Sequence, residues 1–125
     1  ASLFGGICLA NAGLGAVHGL AAPIGGMYRA PHGAVCAALL EHVIEANRAA
    51  LAPDHPAQSR YRLIGHWVDV PGLVRQAGTA GLRAYGVRDS DFALIAERAL
   101  QASSMKANPA ALNQAQVEAI LRAAY

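Results

Sequence analysis

The chain has 125 residues, 54% of them hydrophobic and 14% charged, so it can build one domain with a real core and is not a disordered chain over most of its length. A net charge of +2, with no run of Lys and Arg forming a stripe, excludes an electrostatic binder of nucleic acid. So few charges also leave little solvated surface, which points to an apolar face covered by another domain or subunit.

In chain order, the first segment, about Leu3 to Ala21, is apolar on nearly all sides and predicts a buried central helix, ended by Pro23 and a Gly25-Gly26 turn. The first charged residue is Arg29, so the opening stretch is uncharged for longer than the roughly 20 residues a membrane helix requires. Asn11, His18 and five glycines between Gly5 and Gly19 suit close helix packing inside a soluble protein better than lipid. Ala10-Asn11-Ala12 superficially resembles a signal cleavage site, but no basic segment precedes it, and neither a leader nor a membrane role is expected.

His32 to about Leu51 gives the clearest helix, with Val35, Leu39, Val43 and Ala46 on one stripe and Glu41, Glu45 and Arg48 toward solvent. Pro53-Asp54-His55-Pro56 breaks it. Tyr61 to Val68 places Tyr61, Ile64, Trp67 and Val68 at helical spacing, and a short helix follows from Leu73 to about Gly78. Gly86 to Ser90 supplies a turn and Asp and Ser oxygens to cap a helix from Asp91 to Ala102. Ser103 to Pro109 reads as a loop, and Asn113 caps a last helix whose inner edge is Val117, Ile120 and Leu121. No stretch alternates like a strand, so the fold expected is all-α and bundle-like, with no sheet and no internal domain boundary.

Two cysteines are too few for a disulfide scaffold in so small a chain; Cys8 and Cys36, in apolar surroundings, read as buried free thiols of a reducing, cytoplasmic compartment. The chemistry concentrates in Asn11-Ala-Gly-Leu-Gly-Ala-Val-His18 and, fourteen residues after that histidine, Pro31-His32-Gly33. One helix can hold His18 inward while the chain reverses and returns His32, at the start of the next helix, to the same point. Neutral imidazoles suit Zn(II), Fe(II) and similar ions, but catalytic sites take three or four protein groups, and this pattern supplies two. Spacing alone favours a hydrogen-bonded core histidine over a ligand and does not settle the matter. His42 lies inside a helix explained by packing, His55 between prolines, and His66 beside Trp67 in a core-like segment; none is assigned a metal.

The run from Asn11 through His18 to Gly26, followed by Ala30-Pro31-His32-Gly33-Ala-Val-Cys36, resembles the helical domain of the iron-containing (group III) alcohol dehydrogenases. The Gly86-Val87 turn, the helix after Asp91, and Met105-Lys-Ala-Asn108-Pro109 resemble the same family's ending, so the likeness covers essentially the whole chain. The resemblance implies the later part of a helical, metal-binding C-terminal domain. An N-terminal α/β domain would bind NAD or NADP, substrate would lie in the cleft between the two, and a divalent metal, Fe(II) or Zn(II), would polarise the substrate oxygen. His18 and His32 carry over as metal ligands. An Asp and a His that complete the shell in the family precede this region and have no counterpart here, so on this reading residues 1–125 are part of a larger whole whose N-terminal half is the first partner.

The implied reaction is hydride transfer between the nicotinamide and a small alcohol, aldehyde or oxo-acid. A maleylacetate-reductase-like oxo-acid reductase is a variant within the class, and a homodimer is left open. Taken alone, with two ligands and no glycine-rich nucleotide loop, the chain also reads as an inactive helical structural or interaction module. Two departures stand out. Where many relatives have a second histidine four residues after the first ligand, this chain has Ala22, which cannot exchange a proton. Where Asn is common it has Cys36, read as a packed thiol rather than a soft ligand. Asn11 and Gly15, about two turns and one turn before His18, join Ala22 as candidate cleft-lining positions, Gly15 for the close approach it allows.

Overall fold

The structure, a computed structural model, describes residues 2–125 and contains no strand among them. Its helices are α1 (Ser2–Ala12), α2 (Ala16–Met27), α3 (His32–Ala50), α4 (Pro56–Trp67), α5 (Val70–Gln76), α6 (Phe92–Gln101) and α7 (Gln114–Ala123). Short 3-10 turns at Leu82–Tyr85, Asp89–Asp91 and Ser103–Ala107 join the later elements.

The core forms where α2 packs against α3 and α6, and α7 closes against α3 and α6. Each contributes an apolar stripe at helical spacing: Leu20 and Ile24 from α2, Val35, Leu39 and Val43 from α3, Phe92, Ile95, Ala96 and Ala99 from α6, and Val117, Ile120 and Leu121 from α7. Burying each of the larger side chains contributes about 1.5–3 kcal/mol, which outweighs the modest helix propensity of the glycine-rich α2. The expected all-α architecture is present. The Asn113 cap is present too, as a reciprocal box in which the Asn113 side chain accepts from the Gln116 amide and the Gln116 side chain accepts from the Asn113 amide.

Several elements depart from expectation for identifiable reasons. The first segment is not one buried helix. Gly13 adopts a left-handed conformation (φ 70°), ends α1, and leaves α1 and α2 bent by 96° to one another. Only α2 enters the core; α1 exposes Leu3, Phe4, Ile7 and Leu9, and Cys8 is exposed with them rather than buried. Among the described residues no single helix is long and apolar enough to cross a membrane.

Gly25 and Gly26 do not turn the chain either. Burial of Ile24 holds the helix through them and through Pro23, and the reversal comes at Tyr28 to Pro31. There Pro31 disfavours a helical conformation in the residue before it and then serves as the N-cap of α3. The proline pair at 53 and 56 breaks one helix and starts another, because Pro56 opens α4 and the His55 ring accepts from the Ala57 amide at 3.1 Å. α5 begins at Val70 rather than Leu73, with Asp69 as its cap. His66 and Trp67 lie on an exposed face, not in a core-like segment.

Neither Asp89, whose carboxylate accepts from the Ser90 amide, nor Ser90 caps α6, which begins at Phe92; the N-cap position is taken by Asp91, which makes no side-chain hydrogen bond to the helix. Its carboxylate instead accepts from the Tyr28 hydroxyl and from Arg88, tying the end of α2 to the start of α6. The Tyr28 hydrogen bond, with Arg88 adding to it, holds the Asp91 carboxyl below the usual aspartate range.

Gly13→Ala forces an L side chain into the left-handed region with its Cβ about 3.1 Å from that of Ala107, and should cost about 1–2 kcal/mol, read as a lower urea midpoint with unchanged slope. A depressed carboxylate stabilises the fold fully above its unfolded pKa, near pH ~4, and loses that contribution as the pH falls through the folded value. The melting temperature should therefore drop more steeply below about pH 4 in the wild type than in Asp91→Asn, and parallel acid limbs would show that this contact is not energetically coupled to folding.

Candidate metal centre

His18 lies in the first turn of α2, whose N-cap, Gly15, has no side chain to offer. The missing acceptor comes from far along the chain. Asn108, just after the third 3-10 turn, accepts from the Ala16 amide at 3.0 Å through Oδ1. The same side chain exchanges hydrogen bonds with the buried Asn47 of α3 (3.1 and 2.7 Å) and donates to the Ala110 carbonyl at 2.8 Å. Asn47 also donates to the Tyr61 hydroxyl of α4 at 3.0 Å. One amide pair thus fixes the start of α2 against α3, α4 and the loop leading to α7.

A Cβ at Gly15 would lie 3.0 Å from Asn108 Oδ1, a tight contact that would press on this amide. The close approach expected of Gly15 is made by this amide. Asn11 stands on α1, across the Gly13 break from His18, with its side chain donating to the Ile7 carbonyl at 2.8 Å. Ala22 is exposed on α2.

His32 is the first residue of α3 and Cys36 lies one turn further on. The His18 and His32 rings approach to 5.4 Å between centroids at an interplanar angle of 50°. Cys36 Sγ lies 3.5 Å from His32 Nε2, and one ligand atom from each of His18, His32 and Cys36 falls within 4.8 Å of the other two. His18 and Cys36 are half-buried and His32 is exposed. Partial burial raises the Cys36 thiol above its usual range. The chemistry of this donor set fits a divalent cation: two imidazoles and a sulfur, close enough for one ion to reach all three.

Beside the cluster an open, mainly apolar cavity of about 920 Å³ runs past His18 and Cys36 to Leu40, Ile64 and Val70, with Asn47, Tyr61 and Asn108 along it. Gly15 lines it, while Asn11 and Ala22 do not. His42 is apart from the cluster, its ring 3.6 Å from a Glu41 carboxylate oxygen. Spacing brings His18 and His32 to notice but not Asn47; the signal was a polar residue one turn after Val43, inside the apolar stripe of α3.

A sequence model of the Fe-containing alcohol dehydrogenase family, C-terminal, matches residues 1–125. This chain belongs to that family. It is 34% identical over 140 residues to 1,3-propanediol dehydrogenase of Klebsiella pneumoniae, covering 100% of this chain and 36% of the relative. It is 30% identical over 142 residues to alcohol dehydrogenase 4 of Saccharomyces cerevisiae, covering 100% of this chain and 35% of that one. Among solved structures, a crystal structure of 1,3-propanediol oxidoreductase superposes with a TM-score of 0.80 at 31% identity, over 99% of this chain and 36% of the other. The chain therefore spans about a third of the length of the curated relatives it matches.

Truncating Asn108 to Ala removes the acceptor at the start of α2 and leaves the buried Asn47 amide short of partners. The expected loss is about 2–3 kcal/mol, measured by chemical denaturation. A change below about 0.5 kcal/mol, the usual range for a surface substitution, would mean that the pair does not hold α2 in place.

Proposed function

We propose that this chain is the metal-holding helical part of a metal-dependent, NAD(P)-linked alcohol dehydrogenase or carbonyl reductase. The observation that carries this reading is the approach of the His18 and His32 rings from two successive helices to a common point beside an apolar cavity. Family membership supports it, and so does similarity to a 1,3-propanediol dehydrogenase and an alcohol dehydrogenase. A bound divalent cation, Fe(II) or Zn(II), supplies Lewis-acid polarisation of an alcohol or carbonyl oxygen.

The chain's own residues do the positioning. His18 and His32 present imidazole nitrogens from α2 and α3, and the amide pair behind His18 fixes the angle of α2. The apolar wall of Leu40, Ile64 and Val70 excludes water from one side of the cavity and suits a small carbon chain rather than a charged one. Ala22 offers no proton, so proton exchange falls to water or to the substrate itself.

The remaining donors, an Asp and a His, belong to the start of the helical domain that precedes this region, and the nicotinamide site to an α/β domain before that. The exposed apolar residues of α1 (Leu3, Phe4, Ile7 and Leu9), and those of α4 and α5 (Leu63, Ile64, Trp67 and Leu73), are surfaces such a domain or a second subunit would cover. Two free thiols, one of them exposed, suit a cytoplasmic setting.

Replacing His18 or His32 by Ala should remove bound metal from the purified protein, by elemental analysis, with the helical circular dichroism retained. Wild-type metal content in both variants would overturn the assignment.

A further inference from the structure

We propose that Cys36 is a third metal donor from this chain, so that α2 and α3 together offer two imidazoles and one thiolate to a borderline-to-soft divalent cation of the Zn(II) type. The proposal rests on the reading that His18 and His32 hold a metal, and goes beyond it by putting Cys36 in the place of one of the two donors assigned above to the region before this chain, and by adding a preference among ions.

Helix geometry makes the placement specific. His32 and Cys36 are four residues apart on α3, the spacing that puts side chains on one face and in reach of each other. A tetrahedral ion with metal–nitrogen and metal–sulfur distances of about 2.0–2.1 and 2.3 Å separates those two donors by about 3.6 Å. Cys36 Sγ and His32 Nε2 are 3.5 Å apart, and His18 brings its nitrogen from α2 to within 4.8 Å of both. The sulfur also lines the open cavity beside His18, so an ion can reach it without unfolding any element. As the metal–sulfur bond forms, the thiol proton passes to solvent and the two electrons of the bond come from sulfur, with no change of oxidation state. A thiolate donor favours Zn(II), Co(II) and Cd(II) over ions suited to oxygen ligands, such as Mg(II) and Mn(II).

An S–H···N hydrogen bond spans the same distance, and Co(II) substitution distinguishes the two. The purified full-chain protein loaded with Co(II) should show an intense near-ultraviolet thiolate-to-cobalt charge-transfer band. Cys36→Ser should remove that band and weaken Zn(II) binding at least about tenfold, as expected when even a group supporting a ligand is lost. Cys8→Ser should leave both unchanged. If Co(II) binds and is lost in His18→Ala, but the band is missing or survives in Cys36→Ser, the sulfur is a hydrogen-bonded bystander; this inference fails and the two-histidine reading stands. If Co(II) does not bind at all, both fail together. Circular dichroism of each variant separates loss of a ligand from loss of the fold.

Discussion

The paired side chains of Asn47 and Asn108 are the constraint on which the rest of the site depends. α2 begins without a cap of its own, and a helix start left without acceptors in a partly buried position is costly. Asn108 supplies the acceptor from 92 residues away, and its remaining capacity is consumed by Asn47 and the Ala110 carbonyl. Each such bond contributes about 1 kcal/mol net, but a buried amide left without partners costs about 1–3 kcal/mol. The pair therefore acts as a lock with one satisfied arrangement. His18, in the first turn of α2, inherits its position from that lock.

Around it the structure divides into two kinds of surface. α2, α3, α6 and α7 turn their apolar stripes inward and close a core, while α1, α4 and α5 leave large apolar side chains in solvent. The cluster of His18, His32 and Cys36 sits where these regions meet, at the start of α2 and the start of α3. Such a location suits a binding site: rigid helices aim the ligands, and an open apolar cavity lies alongside.

Much of this was legible in the sequence because it depends on local spacing. The stripe Val35, Leu39, Val43 fixes α3, the 117–120–121 edge fixes α7, and Asn113 with Gln116 fixes its first turn. The histidine spacing and the Pro31-His32-Gly33 motif pointed to two imidazoles at one place, and the rings do approach each other. Boundaries were less legible where two weak signals competed. Gly25 and Gly26 read as a turn, yet burial of Ile24 outweighs two glycine penalties of about 1 kcal/mol each, whereas Gly13, in a left-handed conformation, ends α1.

What the sequence determined by itself was the helical class, the stripes that face the core and the two histidines, because helix periodicity and ligand chemistry are properties of near neighbours. What only the tertiary structure decided was which face α1 leaves in solvent, how Asn108 caps a helix that begins 92 residues earlier, and that Cys36, at the edge of the core, brings its sulfur to the His32 ring. Those outcomes depend on hydrogen bonds and burial between segments far apart in the chain, where a satisfied amide or an excluded water decides the arrangement and spacing carries no signal.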